Sequence, residues 1–171
     1  MPKSDNIFLV GPMGAGKSSI GRQLAKYFVR PFWDSDRLLE RRTGVDIPTI
    51  FEFEGEPGFR LRESRIINEL TDKTGIVLAT GGGAVLSEQN RRWLRERGTV
   101  VYLRAAVNTQ LRRTAKDYNR PLLQTQDRRA KLRLLLKERD PLYREIADVV
   151  VNTDRRNMTL ILRSLLEQVS L

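Results

Sequence analysis

The sequence predicts an α/β fold, a parallel sheet covered by helices on both faces, and three observations carry that expectation. Short runs such as Ile7-Phe8-Leu9-Val10 are wholly apolar, without the polar alternation of a half-exposed strand, as burial on both faces requires. Each run is followed by a segment whose apolar residues recur at helical spacing, and alternating strands and helices close into parallel β-α-β units. The 171 residues suffice for one domain with a sizeable core and would cramp two.

After the first strand, Ile20, Leu24, Tyr27 and Phe28 form one face of a helix that ends before Pro31. Phe32-Trp33 reads as a second strand ending in Asp34-Ser35-Asp36, and Arg37 to Arg42 as a helix stopped by Gly44. Asp46 followed by Pro48 marks a short helix closing at Gly55, and Phe59, Ile66, Ile67 and Leu70 mark a longer one. Thr74-Gly75 turns the chain into a third strand, Ile76 to Ala79, which ends in Thr80-Gly81-Gly82-Gly83. A helix over 88–97 stops at Gly98, and Val100 to Leu103 is the fourth strand. A helix runs from Val107 to about Thr114. Residues 115–127 are polar, carry Pro121 and lack a period, which predicts a mobile lid. Leu132, Leu135 and Leu136 lie in a basic helix before Pro141. Val149-Val150-Val151 is the fifth strand, and Met158, Ile161, Leu162, Leu165 and Val169 line a closing helix.

Composition removes several chemistries. There is no histidine and no cysteine, which excludes a Ser/His/Asp or Cys/His nucleophile, a disulfide framework and an ordinary zinc site. Catalysis must run on carboxylates, cations, hydroxyls and backbone dipoles. No apolar run approaches the about 18 residues that span a bilayer, and the Met1-Pro2-Lys3-Ser4-Asp5 start lacks the apolar stretch of a secretory signal, so a soluble cytoplasmic protein without a membrane partner is expected. Lys and Arg number 31 against 21 Asp and Glu, a net charge of +10, and residues 88–171 hold 19 of those cations. A basic surface alone does not separate nucleic acid from a phosphorylated small molecule. Cations here are not interleaved with aromatic residues as a base-stacking platform needs, which disfavours a nucleic-acid partner.

Directly after the first strand, Gly11-Pro12-Met13-Gly14-Ala15-Gly16-Lys17-Ser18 satisfies G-x-x-x-x-G-K-[ST] between a strand and a helix. Glycines let successive amides curl around phosphate oxygens, and the following helix adds its positive end. Lys17 reaches the β- and γ-phosphates, and the Ser18 hydroxyl ligates Mg²⁺. In a parallel sheet, ligands gather at the carboxyl ends of strands, where this chain also puts Asp34, Asp36 and Gly81-Gly82-Gly83. One carboxylate suits a metal and the other a hydroxyl proton. Asp36 is equally well placed to cap the next helix, and the three glycines to form a tight turn. Arg60 by itself reads as a solvated helix arginine.

Six segments in register, the loop from Gly11 to Ser18, the Phe32 to Asp36 strand end, Gly58-Phe59-Arg60, Thr80 to Gly83, Arg120-Pro121-Leu122-Leu123 and Arg139-Asp140-Pro141-Leu142-Tyr143, resemble shikimate kinases over nearly the whole chain. The resemblance implies a P-loop NTPase with the three-layer, nucleoside-monophosphate-kinase-like fold and a central five-stranded parallel sheet. It implies one kinase domain over 1–171, with a substrate-binding helical region about 37–72 and the lid about 115–127. The activity it implies is transfer of a phosphoryl group from ATP, with Mg²⁺, to the 3-hydroxyl of shikimate, by a monomer. In that light Lys17, Asp36 and Arg120 are catalytic, with Asp36 the favoured base and Arg120 brought to the phosphates by the lid. Gly14, Ala15, Gly16, Lys17, Ser18, Ser19, Arg120 and Arg156 contact the nucleotide. Asp36, Arg60, Gly82 and Arg139 hold shikimate, the two arginines taking its carboxylate. Ser18 binds Mg²⁺ directly and Asp34 through water. A kinase of another small hydroxy acid, such as gluconate, shares the loop and size but does not require the segments around Arg60 and Arg139. A nucleic-acid-binding NTPase is the alternative that the charge suggests.

Overall fold

In the computed structural model, which describes residues 3–154 and 157–169, five strands form one parallel sheet. β1 (Ile7–Val10) is central, between β3 (Val77–Ala79) and β4 (Thr99–Arg104). β2 (Phe32–Asp34) lies outside β3, and β5 (Val149–Asn152) outside β4. Phe8 is opposite both Leu78 and Val100, which aligns the carboxyl ends of the three inner strands.

Period-two alternation divides the sheet into two apolar faces. Phe8, Val10, Leu78, Val100 and Tyr102 face α2 (Ser35–Thr43), α3 (Ile47–Thr71), α4 (Glu88–Arg97) and α6 (Arg128–Ile146), whose Leu39, Ile67, Leu94 and Tyr143 complete that core. Ile7, Leu9, Val77, Val101 and Leu103 face α1 (Lys17–Phe28) and α7 (Met158–Val169), contributing Ile20, Leu24, Ile161 and Leu165. Burying each such side chain contributes about 1.5–3 kcal/mol, so the paired cores anchor every strand end that bears a functional residue. α5 (Val107–Thr114) packs on α6, and a third, small cluster joins Met13, Leu123, Leu132 and Leu135. Leu123, buried in a single 3-10 turn over Pro121–Leu123, therefore pins the 115–127 segment to α6 and to the glycine-rich loop.

Three expectations need correction. Asp34, not Asp36, is the helix cap: the strand ends at Asp34, α2 begins at Ser35, and Asp34 Oδ1 accepts the amides of Asp36 and Arg37. Asp36 thus stands in the first turn of the helix with its carboxylate released for other work. α6 does not stop before Pro141 but runs through it to Ile146. The missing N–H costs a helical hydrogen bond, which burial of Leu135, Arg139, Tyr143 and Ile146 on one face offsets. The helices on either side of Gly55 follow each other without a loop, the break residing in Gly55 itself at φ 70°, ψ 178°.

Val29, after α1, has φ 53° and ψ 53° and is 90% exposed, an uncommon conformation for a β-branched residue that no packing repays. Val29→Gly is expected to raise stability by about 1 kcal/mol, read as a gain in Tm of about 2–4 °C by calorimetry.

Candidate functional site

The glycine-rich loop leaves β1 and enters α1 through Gly16, whose φ of 92° a side chain rarely adopts. A Cβ on Gly11 would overlap the Leu103 carbonyl of neighbouring β4, so the first glycine is imposed by the sheet. The amides of Gly14, Gly16, Lys17, Ser18 and Ser19 find no acceptor among the described residues, whereas Ala15 N–H, inside the loop, bonds Pro12 O at 3.2 Å. A row of free donors on a helix N-terminus is an anion cradle. Lys17 Nζ curls back onto the carbonyls of Gly11 (2.7 Å) and Pro12 (2.8 Å). Burial, and next the nearby Arg120 guanidinium, push its ammonium down to about 7, a state that a polyphosphate in the loop would reverse.

This loop floors a cavity of about 390 Å³ walled by Asp34, Asp36, Thr80, Gly81 and, from the 115–127 segment, Asp117, Asn119 and Arg120. Asp34 Oδ2 accepts the Ser18 hydroxyl at 2.7 Å, placing two hard oxygen donors side by side at the cradle's edge. Arg120 is held by Asp117 at 2.9 Å and approaches Asp36 at 3.9 Å. Burial, and then the neighbouring Asp34 charge, raise the Asp36 carboxyl above its usual value.

A second cavity, of about 60 Å³, opens next to the first and shares Ile47, Asp36, Gly81, Gly82, Asn119 and Arg120 with it. Its remaining wall brings together Arg60, Glu63, Gly83 and Arg139. The triple glycine is explained here. A Cβ on Gly81 would lie 2.7 Å from Asp36 Oδ1 and 2.8 Å from Glu63 Oε2, and one on Gly83 would lie 2.6 Å from Arg60 Cζ. A Cβ on Gly82 would meet only ordinary contacts, Met13 N at 3.5 Å and Arg139 Nη1 at 3.6 Å, so the protein itself leaves that position open.

The arginines differ in how their charge is met. Arg60 lies over the Phe59 ring and pairs with Glu63 at 2.9 Å and Glu56 at 3.3 Å; it is not the freely solvated residue its sequence position suggests. Arg139 is 3% exposed, its Nε has no partner, and no carboxylate among the described residues lies within 4 Å of it. A buried guanidinium without a counter-charge is costly unless an anion arrives.

The structure thus gathers Lys17, Ser18, Asp34, Asp36, Arg60, Gly82, Arg120 and Arg139 around two adjoining cavities, with Gly14, Gly16 and Ser19 on the loop side. Ala15 is fully buried beneath the loop rather than lining it. Arg156 lies outside the described residues. Glu63 escaped the sequence reading, although a charged residue amid Phe59, Ile66 and Ile67 on one helical face was a legible signal. Its carboxyl is 2% exposed, Oε2 has no partner, and burial pushes it up to about 7 against the pull of Arg60.

The profile described as "Shikimate kinase" matches residues 13–170. The shikimate kinase of Thioalkalivibrio sulfidiphilus is 61% identical over 165 residues, covering 96% of this chain and 87% of that protein. The chain belongs to the shikimate kinase family. Among solved structures, the shikimate kinase of Acinetobacter baumannii in complex with shikimate superposes with a TM-score of 0.94 at 52% identity, over 96% of this chain and 92% of the other. The fold is the P-loop, nucleoside-monophosphate-kinase-like one that the sequence predicts. A gluconokinase from Sinorhizobium meliloti, at 18% identity and a TM-score of 0.58 over 99% of this chain and 94% of the other, shares the fold alone. The third strand ends at Ala79-Thr80 and carries no acid there.

Because folding raises the Glu63 pKa from 4.5 to about 7, its contribution to stability is fully present below about pH 4.5 and is lost as pH rises through about 7. Glu63→Gln, which keeps a partner for Arg60 but has nothing to ionise, is expected to show a shallower fall in Tm between pH 5 and 8 than the unaltered chain.

Proposed function

We propose that this chain transfers the γ-phosphoryl group of ATP to the 3-hydroxyl of shikimate, and that the two cavities are its donor and acceptor halves. The observation that carries the reading is Arg139, a buried cation without a counter-ion among the described residues, facing Arg60 across a small cavity that adjoins the phosphate cradle. Two guanidinium forks suit a planar carboxylate, and shikimate has one. Family membership and the likeness to a shikimate-bound relative support the same choice over gluconate.

In this reading the amides of Gly14, Gly16, Lys17, Ser18 and Ser19 and the Lys17 ammonium hold the nucleotide phosphates. The oxygens of Ser18 and Asp34 fit a hard cation such as Mg²⁺, which Ser18 would hold directly and Asp34 through water. Bound there, the ion would neutralise charge on the β- and γ-phosphates. Asp36 lines both cavities, so it stands where the acceptor hydroxyl meets the transferring group. As the bond from the 3-oxygen to the γ-phosphorus forms and the bridging oxygen leaves with ADP, the hydroxyl proton passes to Asp36. Arg120 supplies a cation to the spreading charge, and the lid over it excludes competing water. Gly82 offers its amide, for which the described residues hold no acceptor, to the ring substituents. The nucleotide contact assigned to Arg156 rests on the family resemblance alone. One chain supplies every group, which supports action as a monomer, and the reading places the enzyme with ATP in the cytoplasm. No helix among the described residues is long and apolar enough to cross a membrane.

The test is ADP release in MgATP with shikimate, gluconate or no acceptor. Stimulation by shikimate alone is expected; a response to gluconate, or none to shikimate, overturns the assignment. Lys17→Ala is expected to lower turnover by about 10²–10³-fold, the scale of one lost donor at a developing charge. In Gly83→Ala the new methyl meets the mobile end of Arg60, so the fold is kept, with Tm nearly unchanged, while KM for shikimate rises about tenfold and KM for ATP stays as it was.

A further inference from the structure

Shikimate binding, as proposed above, uses the Gly82 amide of the run Gly81-Gly82-Gly83, and a glycine run has no side chains with which to hold its own peptides in place. Its polar groups are nevertheless nearly all accounted for. Gly81 N–H donates to Ser35 Oγ at 3.1 Å, the carbonyls of Gly81 and Gly83 accept Ala84 and Leu86 amides at 3.1 Å, and Gly82 O accepts the Tyr143 hydroxyl at 2.5 Å. The amides of Gly82 and Gly83 are left over among the described residues. In a trans peptide the carbonyl and the next N–H point opposite ways. Pinning Gly82 O therefore turns Gly83 N–H away from Tyr143, and it is Gly83, not Tyr143, that lines the cavity between Arg60 and Arg139.

Tyr143 is itself unusually well fixed. It is 1% exposed, and its ring packs on Tyr102 with centroids 4.9 Å apart. Tyr102 belongs to β4, opposite Val10 at the root of the glycine-rich loop, and its hydroxyl donates to Asp140 at 2.6 Å, whose other oxygen takes Arg144 at 2.9 Å. Arg139 precedes Tyr143 by one helical turn, so a single face of α6 carries both the buried cation and the phenol. Burial pushes the Tyr143 hydroxyl above the usual phenol value, which keeps it a donor throughout the working pH range.

We propose that Tyr143 is a positioning residue for the acceptor: its hydroxyl, braced by Tyr102 and Asp140, sets the Gly82–Gly83 peptide so that the amide side faces the substrate. The inference rests on the shikimate reading. A phenol that merely filled space would lose nothing when its oxygen alone was removed.

Tyr143→Phe keeps the ring and its stacking and deletes only that oxygen. The expected result is a rise in KM for shikimate of about five- to tenfold, with the dissociation constant of a fluorescent ATP analogue unchanged. Tyr102→Phe, which loosens the brace but leaves the Tyr143 hydroxyl, is expected to raise the same KM about twofold, and it carries the test should Tyr143→Phe fold poorly. Unchanged KM and kcat in the variant that folds overturn the proposal, as does an equal loss of affinity for both substrates. If shikimate fails to stimulate the unaltered chain, the functional reading falls and this inference with it. If the unaltered chain responds and the variants match it, only the role of Tyr143 falls.

Discussion

The site depends on a stretch of bare backbone at the end of β3. That strand lies between β1, which carries the phosphate cradle, and β2, which delivers Asp34 and leads into Asp36. Any side chain there would displace the groups that meet over it, because Asp36, Glu63 and Arg60 already occupy the space of a Cβ on Gly81 or Gly83. The absence of two methyl groups lets three charged side chains from two helices converge against a strand end. Only the middle position is left open toward the cavity, with the loop amide of Met13 on its far side.

Charge is the second organising constraint. Four cations, Lys17, Arg60, Arg120 and Arg139, surround the two cavities, and their carboxylate partners are unevenly distributed. Arg60 and Arg120 are paired to acids, whereas Lys17 rests on backbone carbonyls and Arg139 has no counter-charge among the described residues. Burying cations in this way is unfavourable for the empty protein and favourable for a complex with two anionic substrates, because each anion restores what desolvation removed. The rest of the net charge of +10 lies largely elsewhere, much of it on the exposed side of α6, where solvent screens it.

α6 links these constraints mechanically. Its first turns hold Leu132 and Leu135 against Leu123 of the 115–127 segment and Met13 of the cradle, and its later turns present Arg139 and Tyr143 to the glycine run. A break at Pro141 would separate those two ends. Continuity through the proline therefore keeps the contacts to the 115–127 segment, the cradle and the glycine run on one helix, and the buried face of the helix outweighs the hydrogen bond that proline forfeits.

The sequence by itself determined the strands, the order of elements and the phosphate cradle, because each rests on local pattern: apolar runs for buried strands, helical spacing for packed helices, and a glycine spacing that only a curled loop needs. It also brought Asp34 and Asp36 to a strand end, but not their division of labour, which follows from the strand ending one residue before Ser35 and Asp34 taking the cap. Arg60 and Arg139 are 79 residues apart along the chain and were singled out only by likeness to a family. Their shared cavity, the carboxyl of Glu63 over Gly81 and the reach of Tyr143 to Gly82 were decided by tertiary structure alone. These contacts join residues brought together by the sheet order and by two helices crossing one face, and no spacing within a single segment encodes a distance between segments that meet only when the core closes.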